Sequence, residues 1–325
     1  MKRIISVFFC SLFICSCSSF SSLPVKRQEY LLGTIISITV YDDIGNAEAL
    51  IKDSFDLVRN LEQKVSHNDE KSELSYINHN AYKTPVHISK EMLDILDKSL
   101  EYCEKSDGAF DIGLGGLIEL WGVGTENAHV PSEYEISEFI GFKAYKNIVI
   151  DKEEETVLFT DKRVKLNLGA CAKGYAEDMV VDFLKEKGVK SALLNFGGSV
   201  SVIGTKPDGT DFTIGITDPH NEAEFIDKIK VSDISVVTSG NYQRFFTENN
   251  VRYHHIIDSM TGYPAENGIN SVTIICDSAF KADCLSTAAF VLGVDKAEKL
   301  VLSENCDYVI YTNEVKRSDG VEFSA

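Results

Sequence analysis

"HHIIDSMTGYPAENGINSVTIIC" (residues 254–276) holds two apolar, β-branched runs separated by a turn that Gly262 and Pro264 pin. Glycine supplies backbone conformations that other residues avoid, and proline cannot donate into a central strand, so the chain reverses here. Working outward from that reversal, strand-like stretches read at 146–150, 156–160, 192–195, 200–204, 212–217, 230–238 and 307–311. "YLLGTIISITVYD" (30–42) reads as one more strand, interrupted by Gly33. Apolar spacing predicts helices over 46–65, 89–105, 172–187 and 278–292, with a short one at 132–140. Antiparallel-looking strands mixed irregularly with helices make an α+β chain. No repeat of 20–50 residues occurs, and no low-complexity linker follows the N-terminal region.

The helix directly downstream contains "KADCLSTAAF" (281–290), which puts Asp283 and Thr287 four residues apart among Ala and Leu. That spacing is one helical turn, about 5.4 Å of rise, so both oxygens leave one face. A carboxylate and a hydroxyl so placed can serve a hard cation. They can equally form the solvated edge of an amphipathic helix, and the segment alone suits that second reading better.

The N-terminus reads as a targeting signal. Lys2 and Arg3 precede an apolar run from Ile4 to Ile14, too short to span a bilayer as a mature helix. "FICSCSSFSS" (13–22) follows, with Ser16 before Cys17 and a serine-rich tether after it. The pattern is similar to a bacterial lipoprotein signal: residues 1–16 removed, Cys17 lipidated, 17–28 a tether, 29–325 the folded domain. A plain secretory peptide is the alternative, and both readings export the chain. The expected address is the bacterial cell envelope, lipid-anchored and facing the periplasm, with the inner membrane as the expected holder.

Net charge is −18, and −20 without Lys2 and Arg3, with no basic stretch to interrupt it. Such a chain repels phosphate backbones, which argues against nucleic acid as a partner. An anionic small molecule would need local compensation from a metal, a lysine or a helix N-terminus. Three of the eight cysteines lie in the signal; the other five are odd in number and scattered. Their spacing indicates neither a disulfide framework nor a zinc site.

Two further segments bear on chemistry. "KLNLGACAKGYAEDMVVDFLKEKG" (165–188) passes from a strand through a Gly-Ala-Cys-Ala turn into a helix closed by Gly188. Small residues there leave N–H groups accessible to a phosphate and a carbonyl accessible to a metal. Lys173 sits in the first turn, where a cation opposes the helix dipole, so an anionic neighbour is a reasonable explanation; an ordinary surface lysine is the other. In "GAFDIGLGGLIELWG" (108–122), Asp111 can cap its own turn or bond a ligand edge, and taken alone the capping reading is preferred.

Taken together, "EYLLGTIISITV", "SELSYIN", "GAFDIGLGGLIELWGVG", "NLGACAKGYAED", "LLNFGGSVSVIG", "VVTSGNYQRFF", "HHIIDSMTGYP" and "KADCLSTAAFVLG" occur in order from residue 29 to 293. In this order they resemble the FAD:protein FMN transferases, the ApbE-type flavin-trafficking lipoproteins. The resemblance implies mixed, mostly antiparallel sheets with packed helices in an ApbE-like (T-fold-like) architecture. It implies a Mg²⁺-dependent reaction in which FAD is cleaved at its pyrophosphate and AMP leaves. FMN then goes to a Thr or Ser hydroxyl of an exported acceptor protein. It assigns the cation to the main-chain oxygen of Ala170 and the side chains of Asp283 and Thr287. It sets the flavin nucleotide against Leu32, Asn68, Ala109, Phe110, Asp111, Asn167, Lys173, His255, Ile256 and Ile257. Apolar side chains would meet ring faces, amide and carboxylate groups ring or ribose edges, and lysine the phosphate.

His255 is the candidate general base, because imidazole accepts a proton near neutral pH. A buried structural histidine is its alternative, and His254 is expected to face solvent. Three positions depart from the family pattern: Asn68 where many relatives carry tyrosine, Asn167 where aspartate is frequent, and Ser199 where an acidic residue is common. Loss of a stacking ring at residue 68 removes roughly 0.5–1.5 kcal/mol of nucleotide contact and opens the cleft to water. Two rival readings therefore stand beside transfer. One is a Mg²⁺-dependent FAD pyrophosphatase with water as nucleophile. The other is a lipid-tethered flavin-binding protein without turnover.

Overall fold

A computed structural model describes residues 23–323. The expected leader and the lipidation site Cys17 lie outside the described residues. The chain opens with β1 (Val25–Leu31) and β2 (Thr34–Val40). These pair antiparallel, with Leu31 opposite Thr34. Residues 30–42 are therefore a hairpin rather than one interrupted strand, turned by Leu32 (φ 51°) and Gly33 (φ 71°). β1 starts at Val25, inside the stretch read as tether.

Next come α1 (Ala47–Val65), α2 (Glu73–Asn80), β3 (Val86–His87), α3 (Lys90–Lys105), α4 (Gly115–Trp121) and α5 (Glu133–Ser137). β4 (Ile148–Asp151) and β5 (Thr156–Phe159) join β3 in a small sheet. α6 (Ala172–Glu186) leads to β6 (Ala192–Phe196) and β7 (Ser199–Ile203). The expected strand 230–238 is two elements. β9 (Asn221–Val231), paired with β8 (Phe212–Asp218), ends there, and β10 (Ser235–Gly240) begins after a turn at Asp233 (φ 49°).

Two ribbons follow, β11 (Phe245–Glu248) with β12 (Val251–His254), and β13 (Ile257–Asp258) with β14 (Tyr263–Pro264). The Gly262–Pro264 reversal thus closes its own small ribbon before β15 (Ser271–Cys276) enters the main sheet. α7 (Ala279–Leu292), α8 (Val294–Ser303), β16 (Asp307–Tyr311) and β17 (Val315–Arg317) complete the chain.

Eight strands form the main sheet in the order β1-β2-β6-β7-β10-β15-β16-β17. Every neighbouring pair is antiparallel, as the α+β reading expects. Side chains alternate between the faces of a strand, and the core follows that alternation. Ile274 and Ile310 pack under α7 and α8 with Leu285, Ala289 and Val301. Their neighbours Ile275 and Val309 face the other way, against Ile214, Ile216 and Ile229 of the β8–β9 ribbon. α1, α3 and α6 cover β2 and β6 through Phe55, Leu96 and Val180 against Ile36, Ile38 and Leu194.

Ten of the fourteen residues of α7 are buried. A helix apolar on all sides must sit inside the protein, and α7 lies between the main sheet and α6. The solvated-edge reading of Asp283 therefore falls, because that residue is only 4% exposed.

Candidate active site

α6 starts from a turn built by its own side chains. Lys165 and Asn167 donate backbone N–H bonds to Gly113 and Ile112, fastening this segment to the 110–115 loop. The Asn167 side-chain oxygen accepts from the Gly169 N–H at 2.9 Å, which bends the chain through Ala170 into the helix. Cys171 occupies the N-cap without a capping side-chain bond. The missing cap comes from α7, where Asp283 Oδ2 accepts from the Gly174 N–H at 3.1 Å.

The arrangement is reciprocal. Asp178 of α6 accepts from the N–H groups of Ala279 (2.7 Å) and Phe280 (3.1 Å) and from the Ser278 hydroxyl (2.6 Å), capping α7. Each helix lends a carboxylate to the other's positive end, where backbone donors are otherwise unpaired. Gly174 permits the crossing, since a Cβ there would come within 2.4 Å of the Ala279 carbonyl oxygen.

Lys173 Nζ lies 3.6 Å from Asp283 Oδ2 and 3.5 Å from the Gly169 carbonyl oxygen. Its unfavourable place in the first turn therefore has an anionic neighbour within the protein. Burial pushes the Asp283 carboxyl above the usual carboxylate range, with Lys173 and the Gly174 N–H pulling it back. Both contacts fall on Oδ2, which leaves Oδ1 for a further partner. Thr287 is partly exposed one turn later, 3.5 Å from the hydroxyl of Ser239 on β10; Ser239 also meets Ser286 at 2.8 Å. Ala170, half-buried, lies between Gly169 and the helix start.

A carboxylate oxygen, a hydroxyl and a main-chain carbonyl are hard oxygen donors of the kind Mg²⁺ accepts, with substrate phosphate and water completing six positions. Among the described residues no group of three or more His, Cys, Asp or Glu could hold a metal without such help.

His254 departs from the expectation that it faces solvent, whereas His255 is not the buried structural histidine that was its alternative. His254 is buried; its Nδ1 accepts from the Ile256 N–H at 3.3 Å, so Nε2 donates to the Ala265 carbonyl at 3.1 Å. Burial holds it down to about 4, neutral and structural. His255 is partly exposed, and its Nδ1 donates to the Arg244 carbonyl at 3.2 Å, leaving the Nε2 lone pair free to accept a proton. Burial, opposed by that carbonyl bond and reinforced by the charges of Arg244, His254 and Lys173, lowers it to about 4. The Lys173 contribution places His255 within electrostatic reach of the α6 start. Trp121 steadies the surrounding ribbons: Nε1 donates to the Gly262 carbonyl at 2.8 Å, and the ring packs on Tyr253 and Tyr263.

Arg244, an exposed cation whose carbonyl holds His255, is a residue that sequence reasoning missed. A Cβ on Gly33 would lie 4.0 Å from its guanidinium and one on Gly124 3.9 Å from its Cδ. Leu32, on the same turn, is half-buried, and its N–H is held by Glu62 at 2.7 Å. Asn68 is exposed on the loop after α1.

Other expected contacts are placed differently. The Phe110 ring and the Ile256 side chain are core groups, 2% and 5% exposed, so only their backbone is reachable by a ligand. Ile257 packs in the Trp121 cluster, and Ala109 is half-buried. Asp111 caps its own turn, accepting from Gly113 (2.8 Å) and Tyr145 (3.2 Å), and burial lifts it to about 6 against those bonds.

The ApbE family profile matches residues 32–310. The chain belongs to the ApbE family. It is 34% identical over 288 residues to the FAD:protein FMN transferase of Treponema pallidum, covering 84% of this chain and 80% of that protein. The crystal structure of the ApbE protein of Thermotoga maritima superposes with a TM-score of 0.84 at 34% identity, over 91% of this chain and 97% of that one. The apo flavinyl transferase ApbE of Pseudomonas stutzeri gives 0.81 at 26% identity, over 91% and 95%. The ApbE fold explains why α6 and α7, over 100 residues apart in sequence, meet at one turn.

Proposed function

We propose that this protein is a Mg²⁺-dependent FAD:protein FMN transferase of the bacterial cell envelope. It moves FMN from FAD to a Thr or Ser hydroxyl of an exported acceptor protein and releases AMP. The observation carrying the proposal is the buried Asp283 of α7 joined to the start of α6 by Gly174 and Lys173. Ala170, Asp283 and Thr287 would hold the cation. When bound, Mg²⁺ supplies positive charge against the pyrophosphate and polarises its phosphoryl oxygens.

The chain's own groups do the rest. Lys173 and Arg244 supply the fixed positive charge that a net-acidic protein must offer an anionic dinucleotide. His255 Nε2 accepts the proton of the acceptor hydroxyl, whose oxygen attacks the FMN-side phosphorus. The bond from that phosphorus to the bridging oxygen breaks, and AMP leaves with that oxygen. Export and lipid attachment at Cys17 rest on the pattern of residues 1–22.

Asn68 favours a second reading. Exposed and without a ring, it leaves that side of the cleft open, so water competes with the acceptor and free FMN appears. Incubation with FAD and Mg²⁺, with and without a candidate acceptor, separates the readings. Flavin covalently attached to the acceptor, stoichiometric with AMP, supports transfer. AMP with only free FMN beside a competent acceptor leaves the pyrophosphatase, and no AMP at all leaves a flavin-binding protein.

A further inference from the structure

The scattered cysteines come together in the fold. β15 and β16 pair antiparallel with Ile275 opposite Asp307, so the next position along sets Cys276 opposite Cys306. Directly opposed residues in such a pair have Cα atoms about 4.5–5.5 Å apart, within the span a disulfide bridges. The two Sγ atoms are 2.8 Å apart. Unbonded carbon atoms already rest at about 3.5–4.0 Å, and sulfur is larger. Both residues are buried, 2% and 4% exposed.

We propose that Cys276 and Cys306 form an intramolecular disulfide on exposure to a disulfide oxidant. That is the state the chain takes in an oxidising compartment, a clause that rests on the export reading.

In the folded protein the two sulfurs sit in different surroundings. The Cys276 contact, and then the Lys281 ammonium, hold the Cys306 thiol below its ordinary value. The Cys306 contact and burial push the Cys276 thiol up, and Asp277 Oδ1 at 3.2 Å adds to the effect. Before β16 docks these contacts are absent and either cysteine can react first; with Cys306 as the example, its thiolate attacks one sulfur of the oxidant, such as oxidised glutathione. The oxidant S–S bond breaks, giving a mixed disulfide and one free thiol. Cys276 then loses its proton, attacks the Cys306 sulfur and expels the second thiol. Two protein thiols are oxidised, one oxidant disulfide is reduced to two thiols, and the two cysteine protons end on them.

The bond closes the chain around α7 and α8, so the helix carrying Asp283 and Thr287 stands on a cross-linked base. The test uses the full chain, unfolded and refolded with oxidised and reduced glutathione, then alkylated under denaturing conditions and digested with trypsin. The expected product joins peptide 253–281 to peptide 300–316. Its reduction lowers Tm by roughly 3–6 °C, a drop absent in Cys306→Ser. Both peptides fully alkylated, or a link between Cys171 and Cys284 instead, would overturn the proposal. Because the oxidant is supplied in the tube, a missing link counts against the cysteine pair and not against export or transfer.

Discussion

His255 keeps its Nδ1 proton on the Arg244 carbonyl and its Nε2 lone pair available. Its value is lowered to about 4, so the imidazole is already neutral well below pH 6. The base form is present above that value and lost only as pH falls through it. The rate at saturating FAD and Mg²⁺ is therefore expected to show no His255 limb near pH 6.5. A limb near pH 6.5 in the parent would contradict that lowering, and a His255→Gln protein as active as the parent would contradict the base role.

Glu177 carries the opposite sign. Fully buried, it accepts from the Ser199 hydroxyl, and burial raises it to about 8. Between its ordinary value and that one, the folded state holds a proton the unfolded state has lost, so stability falls as pH rises through this window. Glu177→Gln removes the linkage. Its unfolding free energy relative to the parent is expected to rise from pH 5 to pH 8, by up to about 1.4 kcal/mol per pH unit, as denaturant unfolding reads; a constant difference across that range would refute the shift. The pairing also gives Ser199 a partner that the sequence left without explanation. Residue spacing put Asp283 and Thr287 on one face but left the solvated edge as the better reading, and their cation role came from the family resemblance; the His254/His255 alternation misled. β12 ends at His254 and β13 starts at Ile257, so no single strand carries the alternation across residue 255.

α6 and α7 hold each other by exchanged caps and a glycine crossing. Gly174→Ala puts a methyl group against the Ala279 carbonyl, and overpacking of this kind costs about 1–3 kcal/mol. Asp178→Ala removes the carboxylate that α6 lends to the start of α7, leaving the Ser278 hydroxyl to accept from the Lys281 N–H, at about 0.5–2 kcal/mol. Denaturant unfolding of both variants checks these magnitudes, and a Gly174→Ala protein as stable as the parent would mean the helices can part without cost. The helices 46–65, 89–105, 172–187 and 278–292 were readable because periodicity or apolar content marks them. β9 was not, because "NEAEFIDKIKV" is largely exposed and shows no clean apolar alternation. α4 is seven residues starting on two glycines, and α8 follows α7 across a single Gly293, so neither is bounded by an ordinary loop. The reciprocal caps join residues about 100 positions apart, a pairing that local pattern does not contain.

Across the whole molecule, an eight-stranded antiparallel sheet carries α7, which meets the start of α6 through Asp283 and Gly174 and β10 through Thr287 and Ser239. The order of eight short stretches was enough to suggest that outcome, because their identity with the family survives where periodicity is ambiguous. The leader and Cys17 remain a reading of sequence pattern alone. If the cleft holds both ligands, FAD and Mg²⁺ together raise Tm more than either does alone; at 100-fold excess over Kd a ligand stabilises by about 2.7 kcal/mol. Equal shifts with and without Mg²⁺ would speak against a shared site. The most direct test is AMP release from FAD as Mg²⁺ is titrated, comparing the parent with Asp283→Asn, whose side-chain oxygen can still accept from Gly174. The parent should release AMP with saturating dependence on Mg²⁺ and stop in EDTA, while a folded Asp283→Asn protein releases none. Undiminished release by that variant, or by the parent in EDTA, would contradict a cation seated between these two helices.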